Sequence, residues 1–218
     1  GLDRVSFQYD EMLSSEIRNM YGNGCPYLFA TTARLEKEKN LDFLFQGTAR
    51  LRDILGQDFR LMVIGDGTER RHLEELARML GISRQIVFTG KIENTRVRHY
   101  LNAADAFLFA SKSETQGIVL LEAMAAGCPV AAVRASGVVD VVRQGINGYM
   151  TEEAPEAFAA AAARLVLERG VWSGMSEEAR KTAELYESGR IAALAAEQYG
   201  LMTGQKEDAG YEEHGKGM

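Results

Sequence analysis

The chain's 218 residues, 46% of them hydrophobic, are enough for a domain with a core of its own, which excludes a short disulfide-stapled scaffold. Its 25 basic residues are outnumbered by 31 acidic ones, giving a net charge of −6, and without a block of Lys or Arg there is no electrostatic footprint for nucleic acid. Cys25 and Cys128 stand alone, His72, His99 and His214 are scattered, and no apolar run reaches the ~18 residues a bilayer span needs, so the expectation is a reduced cytoplasmic protein without metal or cofactor, free to touch a membrane surface.

Short apolar runs alternate with segments of helical period. Strands are predicted at Tyr27–Thr32, Phe59–Ile64, Gln85–Thr89, Ala104–Ala110 and Val130–Val133, most of them continuous in apolarity, as strands buried on both faces are. Between them helices are predicted at Leu41–Leu55, Glu69–Leu80, Thr95–Asn102, Ile118–Ala126 and Val138–Gln144. Strand and helix alternating five times predicts an α/β fold, a Rossmann-like doubly wound parallel sheet. "GINGYM", residues 145–150, reads as a turn into a short last strand. From Pro155 the pattern is helical, "AFAAAAARLVLERG" followed by two further helices to about Met202, and residues 204–218 read as a polar, glycine-rich flexible tail.

In such a sheet the ligand lies beyond the carboxyl ends of the strands, at the crevice where strand order reverses. Arg34 and Lys39 follow the first strand, Gly65 and Gly67 the second, Lys91 and Ile92 the third, and Ser113 and Glu114 the fourth. With the strand order 3-2-1-4-5, Arg34 and Lys39 face Glu114 across the crevice. Two cations beside a helix N-terminus suit a diphosphate, because guanidinium and ammonium pair with its oxygens and the helix end offers free N–H groups. Taken alone, a pair of solvated loop charges is an equally good reading. "VIGDGTERRHLE" is a strand, a G-x-G turn and a helix, but Arg70 stands where a dinucleotide fingerprint needs its third glycine. A plain tight turn is as good a reading there as a close ligand approach.

"SETQGIVLLEAMAAGCP", residues 113–129, sets Glu122 inside a run that otherwise reads as a buried helix. On one helix Glu114 and Glu122 would lie ~80° apart rather than on one line. Gly117 instead suggests that Glu114 is in a loop and that the helix starts near Gln116 to Ile118, so both acids converge on a ligand across its N-terminus. A buried carboxylate needs donors, which sugar hydroxyls supply. An internal ion pair, or a helix face exposed at that position, explains Glu122 equally well.

The same stretch resembles the E-x7-E motif of the family-4 retaining glycosyltransferases of GT-B fold. "EAMAAGCPVAA", "GINGYM", "ARLEKEKNLD", "VIGDG" and "VFTGKI" continue the resemblance in order over residues 1 to 200. It implies that residues 1–12, with "GLDRVSF", are an interdomain linker and residues 13–203 a donor-binding domain with C-terminal helices. Arg34 and Lys39 would neutralise the donor diphosphate, and Glu114 with Gln116, Gly117 and Ile118 would hold the transferred sugar and distal phosphate. Glu122 would bind the ribose, and Lys91 and Ile92 the base. The donor would be a nucleotide-sugar substrate, with no cofactor and no metal. Ser136 and Asp140 depart from the family's glycine and glutamate. The family's N-terminal acceptor domain lies outside this sequence, so the resemblance implies nucleotide binding with little turnover. "SKSETQG" is similar to the form in bacterial diacylglycerol glucosyltransferases, implying UDP-glucose and a membrane lipid at the cytoplasmic face. A non-catalytic nucleotide-sugar-binding or regulatory module is the alternative from another class.

Overall fold

One parallel sheet is built from β1 (Tyr27–Thr32), β2 (Phe59–Ile64), β3 (Ile86–Gly90), β4 (Ala106–Phe109), β5 (Val130–Val133) and β6 (Gly148–Thr151), in the order β3-β2-β1-β4-β5-β6. The computed structural model describes residues 11–113 and 117–204. Eight helices are described: α1 (Glu11–Gly22), α2 (Leu41–Leu55), α3 (Arg70–Met79), α4 (Asn94–Asn102), α5 (Ile118–Ala125), α6 (Ser136–Val139), α7 (Pro155–Leu167) and α8 (Arg169–Gly204). The chain divides into two compact units, Gly1–Ala183 and Glu184–Met218, and all six strands belong to the first.

β1 pairs β2 over its whole length, Tyr27 with Phe59 through Thr32 with Ile64, and pairs β4 on its other side at Phe29 with Ala106 and Ala30 with Phe107. The chain moves outward from β1 in one direction and then returns to continue from its other edge, so strand order reverses between β1 and β4. β4 and β5 are buried at every residue, which is why their sequences are apolar runs without alternation. On one face Phe29, Leu61, Val63, Leu108 and Ala131 pack beneath α2, α3 and α7. The helices α1, α4 and α5 contribute nothing to that cluster and pack on β1, β2 and β4 and on each other, covering the opposite face. Each large side chain so enclosed adds about 1.5–3 kcal/mol.

The first helix was not expected from the sequence. Its pattern is weak, with only Ser14, Ile17 and Gly22 buried, and it is held by Arg18. That guanidinium donates to Asp105 Oδ2 at 2.9 Å, to Ala103 O at 3.0 Å and to Pro26 O at 2.8 Å. Asp105 Oδ2 also accepts the Leu28 N–H at 2.7 Å, and Trp172 Nε1 donates to the Asp105 carbonyl at 2.6 Å. These contacts tie α1 and α8 to the amino ends of β1 and β4. The helix begins at Glu11, so residues 11 and 12 of the expected linker are helical.

Two further expectations are corrected. Val138–Gln144 is not a helix; α6 is the short Ser136–Val139. Buried Asn147 explains the stop, since its Oδ1 takes the Arg143 N–H at 2.7 Å and its Nδ2 donates to the Val141 carbonyl at 3.0 Å, both groups a longer helix would have used. After α7 there is one helix, α8, rather than two. Gly174 and Gly189 lie within it, at a cost of about 1 kcal/mol each relative to alanine.

Candidate functional site

At the reversal point the carboxyl ends of β1 and β4 splay apart and leave a pocket of about 200 Å³ lined by Thr32, Arg34, Lys39, Ser111 and Val119 among others. Arg34 lies in the loop leaving β1, exposed, its Nη2 3.3 Å from Glu38 Oε1. Lys39 ends the short 3-10 turn Lys37–Lys39, which Asn40 closes in the left-handed region at φ 54. Among the described residues no carboxylate is ion-paired with Lys39. Thr32, which lines the pocket, has an Oγ1 that is shielded from solvent and has no hydrogen-bond partner among the described residues. Ser111 Oγ lies 3.1 Å from Ser113 Oγ, which also donates to the Glu38 carbonyl at 3.5 Å.

Two glycines expected to admit a ligand have another occupant. A Cβ on Gly67 would lie 2.5 Å from Leu35 O and 2.7 Å from Leu35 N, and one on Gly65 would lie 2.0 Å from Ala33 O. The loop after β2 is thus pressed against the loop after β1, sealed by Leu35 N–H to Asp66 O at 3.1 Å and Glu69 N–H to Leu35 O at 2.9 Å. Thr68 completes the clasp by donating its hydroxyl to Glu36 at 2.7 Å. That contact and the Thr68 N–H hold the Glu36 carboxyl below its usual range. Where a third fingerprint glycine would stand, Arg70 lays its guanidinium 4.2 Å from the Phe88 ring centre and pairs with Glu74 at 2.6 Å.

Gly117 caps α5 at φ 62, and a Cβ there would meet Gly137 O at 2.5 Å. The first helical hydrogen bonds, from Leu120 and Leu121, both end on the Gly117 carbonyl. The amides of Ile118 and Val119, one turn too early for an intrahelical acceptor, therefore belong to the helix end beside the pocket. Ile118 is exposed. Glu122 is exposed too, on a helix whose Leu120, Ala123 and Met124 are buried. Of the readings the sequence left open for this acid, the structure has the exposed helix face, so burial does not by itself demand donors for it.

Arg34 and Lys39 are therefore brought together at the pocket, with the start of α5 opposite. Lys91, exposed, and Ile92, half-buried, follow β3, two strands from the reversal point, and do not line this pocket; neither do Gly65, Gly67 and Glu122. Glu114 and Gln116 lie outside the described residues. Sequence reasoning passed over Thr32, Asn40 and Glu153. Glu153 accepts hydrogen bonds from Asn40 Nδ2 at 2.8 Å and from Lys112 Nζ, and Asn40 also donates to the Ala110 carbonyl at 3.2 Å. Lys112 first, then Asn40, holds the Glu153 carboxyl below its usual range. Nothing local in the acidic "TEEAPE" signals a partner 113 residues earlier.

Residues 16–184 match the profile of the family described as Glycosyl transferases group 1. The chain belongs to the group 1 glycosyl transferases. The glycosyltransferase domain is 39% identical over 139 residues to an alpha-monoglucosyldiacylglycerol synthase of Streptococcus pneumoniae, covering 61% of this chain and 31% of that protein. Among solved structures it is similar to the C-terminal domain of a glycosyl transferase group 1 family protein (LpcC) from Francisella tularensis, at 21% identity and a TM-score of 0.70, covering 83% of this chain and 93% of that one. It is similar as well to Anabaena Alr3699/HepE in complex with UDP, at 21% identity and a TM-score of 0.74, covering 85% and 53%. The fold is that of one half of a GT-B enzyme, and the chain spans half or less of the length of the curated relatives it matches.

Proposed function

We propose that this glycosyltransferase domain binds the nucleoside-diphosphate-sugar donor of a retaining hexosyl transfer, UDP-glucose in the first instance, at the crevice between β1 and β4. The observation that carries the reading is the placement of Arg34 and Lys39 at a pocket that opens onto the N-terminus of α5. Cations and free amides aimed at one space are what a leaving diphosphate requires, and fixed charges stabilise it most as its own charge grows in the transition state. Among the described residues Arg34 is held by an exposed pair with Glu38, a contact worth little, so a phosphate can take its place. Glu114, Gln116 and Gly117 would orient the sugar and distal phosphate, Glu122 from its exposed position would bind ribose, and Lys91 and Ile92 would meet the base.

The acceptor we propose is a membrane lipid of the diacylglycerol type at the cytoplasmic face, bound mainly by an N-terminal acceptor domain. Support comes from the name of the streptococcal relative. Among the described residues no helix is long and apolar enough to cross a membrane, so contact would be peripheral. Calorimetric titration with UDP, GDP, ADP and UDP-glucose tests the donor reading. One nucleotide should bind, and Arg34→Ala, Lys39→Ala and Glu122→Ala should each weaken it by about 1–3 kcal/mol, the size of a lost charge-assisted contact. Affinity unchanged in all three variants would remove the site.

A further inference from the structure

Three loops leaving the carboxyl edge of the sheet converge on one carboxylate. Glu153 lies between β6 and α7, Asn40 between the Lys37–Lys39 turn and α2, and Lys112 just after β4. Both hydrogens of Asn40 Nδ2 are committed, one to Glu153 at 2.8 Å and one to the Ala110 carbonyl at 3.2 Å. The left-handed backbone at Asn40, φ 54, would suit glycine as well, but glycine would have no side chain with which to span these loops. We propose that Glu153 is a positioning residue of the donor site, joining Asn40 to Lys112 so that Lys39 is fixed at the pocket and the loops after β1 and β4 keep their spacing.

The inference rests on the donor-site reading above. Lys39 reaches the pocket from a turn with two backbone hydrogen bonds, Lys39 N–H to Glu36 O at 3.0 Å and Asn40 N–H to Lys37 O at 3.2 Å. Asn40 is the first residue after that turn with side-chain contacts to the rest of the sheet edge. Releasing it frees the end on which Lys39 sits. The Glu153 pair is exposed, and such pairs add little to global stability, so the consequence of losing it falls on the site rather than on the fold. The Glu153 carboxyl is held below its usual range by Lys112 and then by Asn40.

The test titrates the full chain with UDP as wild type, Glu153→Ala, Glu153→Gln, Lys39→Ala and Lys39→Ala/Glu153→Ala, with a thermal midpoint for each. Glu153→Ala should bind UDP roughly tenfold more weakly at an unchanged midpoint, and Glu153→Gln, which keeps an acceptor for Asn40, should fall between. In the Lys39→Ala background the Glu153→Ala step should cost less than about twofold, because the residue acts through Lys39. Glu168→Ala, which removes an exposed pair with Arg164 at the end of α7, should leave affinity unchanged. Wild-type affinity in Glu153→Ala, or an equal loss in both backgrounds, overturns the inference alone. A wild-type chain that binds none of UDP, GDP and ADP overturns the donor-site reading and this inference with it. Should Glu153→Ala lower the midpoint, the same comparison is made with Glu153→Gln, and full additivity there overturns it.

Discussion

Replacing Gly67 with alanine separates a loop-packing glycine from a ligand-contacting one. Its φ is not positive, so the backbone conformation tolerates an L residue and the cost is contact alone. The new Cβ would lie 2.5, 2.7 and 2.8 Å from the O, N and C of Leu35, all of them backbone atoms. Ordinary contact begins near 3.4 Å, so Leu35, which is fully buried, must retreat by roughly 0.6–0.9 Å. That retreat stretches the bonds from Leu35 N–H to Asp66 O, 3.1 Å, and from Glu69 N–H to Leu35 O, 2.9 Å. At about 1 kcal/mol for each bond plus the residual overlap, the loss is ~2–3 kcal/mol. In a chain of this size that lowers the thermal midpoint by about 5–10 °C. Urea unfolding with a global fluorescence probe measures it, with Gly24→Ala as the control. Gly24 has φ 79 and nothing within 4 Å of a built Cβ, so only the conformational cost of ~1 kcal/mol applies. If Gly67→Ala is as stable as wild type, or no worse than Gly24→Ala, the clasp between the two loops is not what the glycine serves.

Asp105→Ala strips a partner from the Leu28 N–H and the counter-charge from Arg18, which keeps its bonds to Ala103 O and Pro26 O, so urea titration should show a loss of about 1–3 kcal/mol. Of the two thiols, Cys128 is buried, with its pKa pushed up to about 12 by burial and then by Asp105, while Cys25 is half-buried. A thiol reagent should therefore label one cysteine in the folded protein and two in denaturant. His72 Nε2 lies 2.9 Å from Asp42 Oδ2, and that hydrogen bond raises the imidazole pKa above 6.5. The folded state binds this proton more tightly than the unfolded one, so the stabilisation is complete below pH ~6.5 and is lost as pH rises through the folded pKa. NMR titration should show the raised value, and Asp42→Asn should return it toward normal.

Wherever the pattern was local and repeated, the sequence was a sufficient guide. Tyr27–Thr32, Phe59–Ile64, Val130–Val133 and Leu41–Leu55 are placed to the residue, because apolar runs and a helical stripe reflect burial that the surrounding chain sets. Alternation of strand and helix gave the parallel sheet, and the usual strand order, assumed rather than read from the residues, put the reversal point between β1 and β4, where Arg34 and Lys39 meet. What failed was decided by long-range side chains. Asn147 ends α6, Arg18 anchors a helix with little apolar stripe, and Glu153 reaches Asn40 across most of the domain. Glu122 was left open between a buried acid and an exposed helix face, and it is exposed. Apolar neighbours on both sides suggested burial, yet at 100° per residue a carboxylate between Leu120 and Met124 can point to water while they point inward.

The central claim is that the donor nucleotide lies between β1 and β4. Amide NMR spectra of the labelled chain recorded during UDP addition test it directly. The account predicts saturable shifts centred on residues 31–41, 109–113 and 117–122, reduced in Arg34→Ala and Lys39→Ala. Shifts centred elsewhere in the domain, or none with UDP, GDP or ADP, would contradict it.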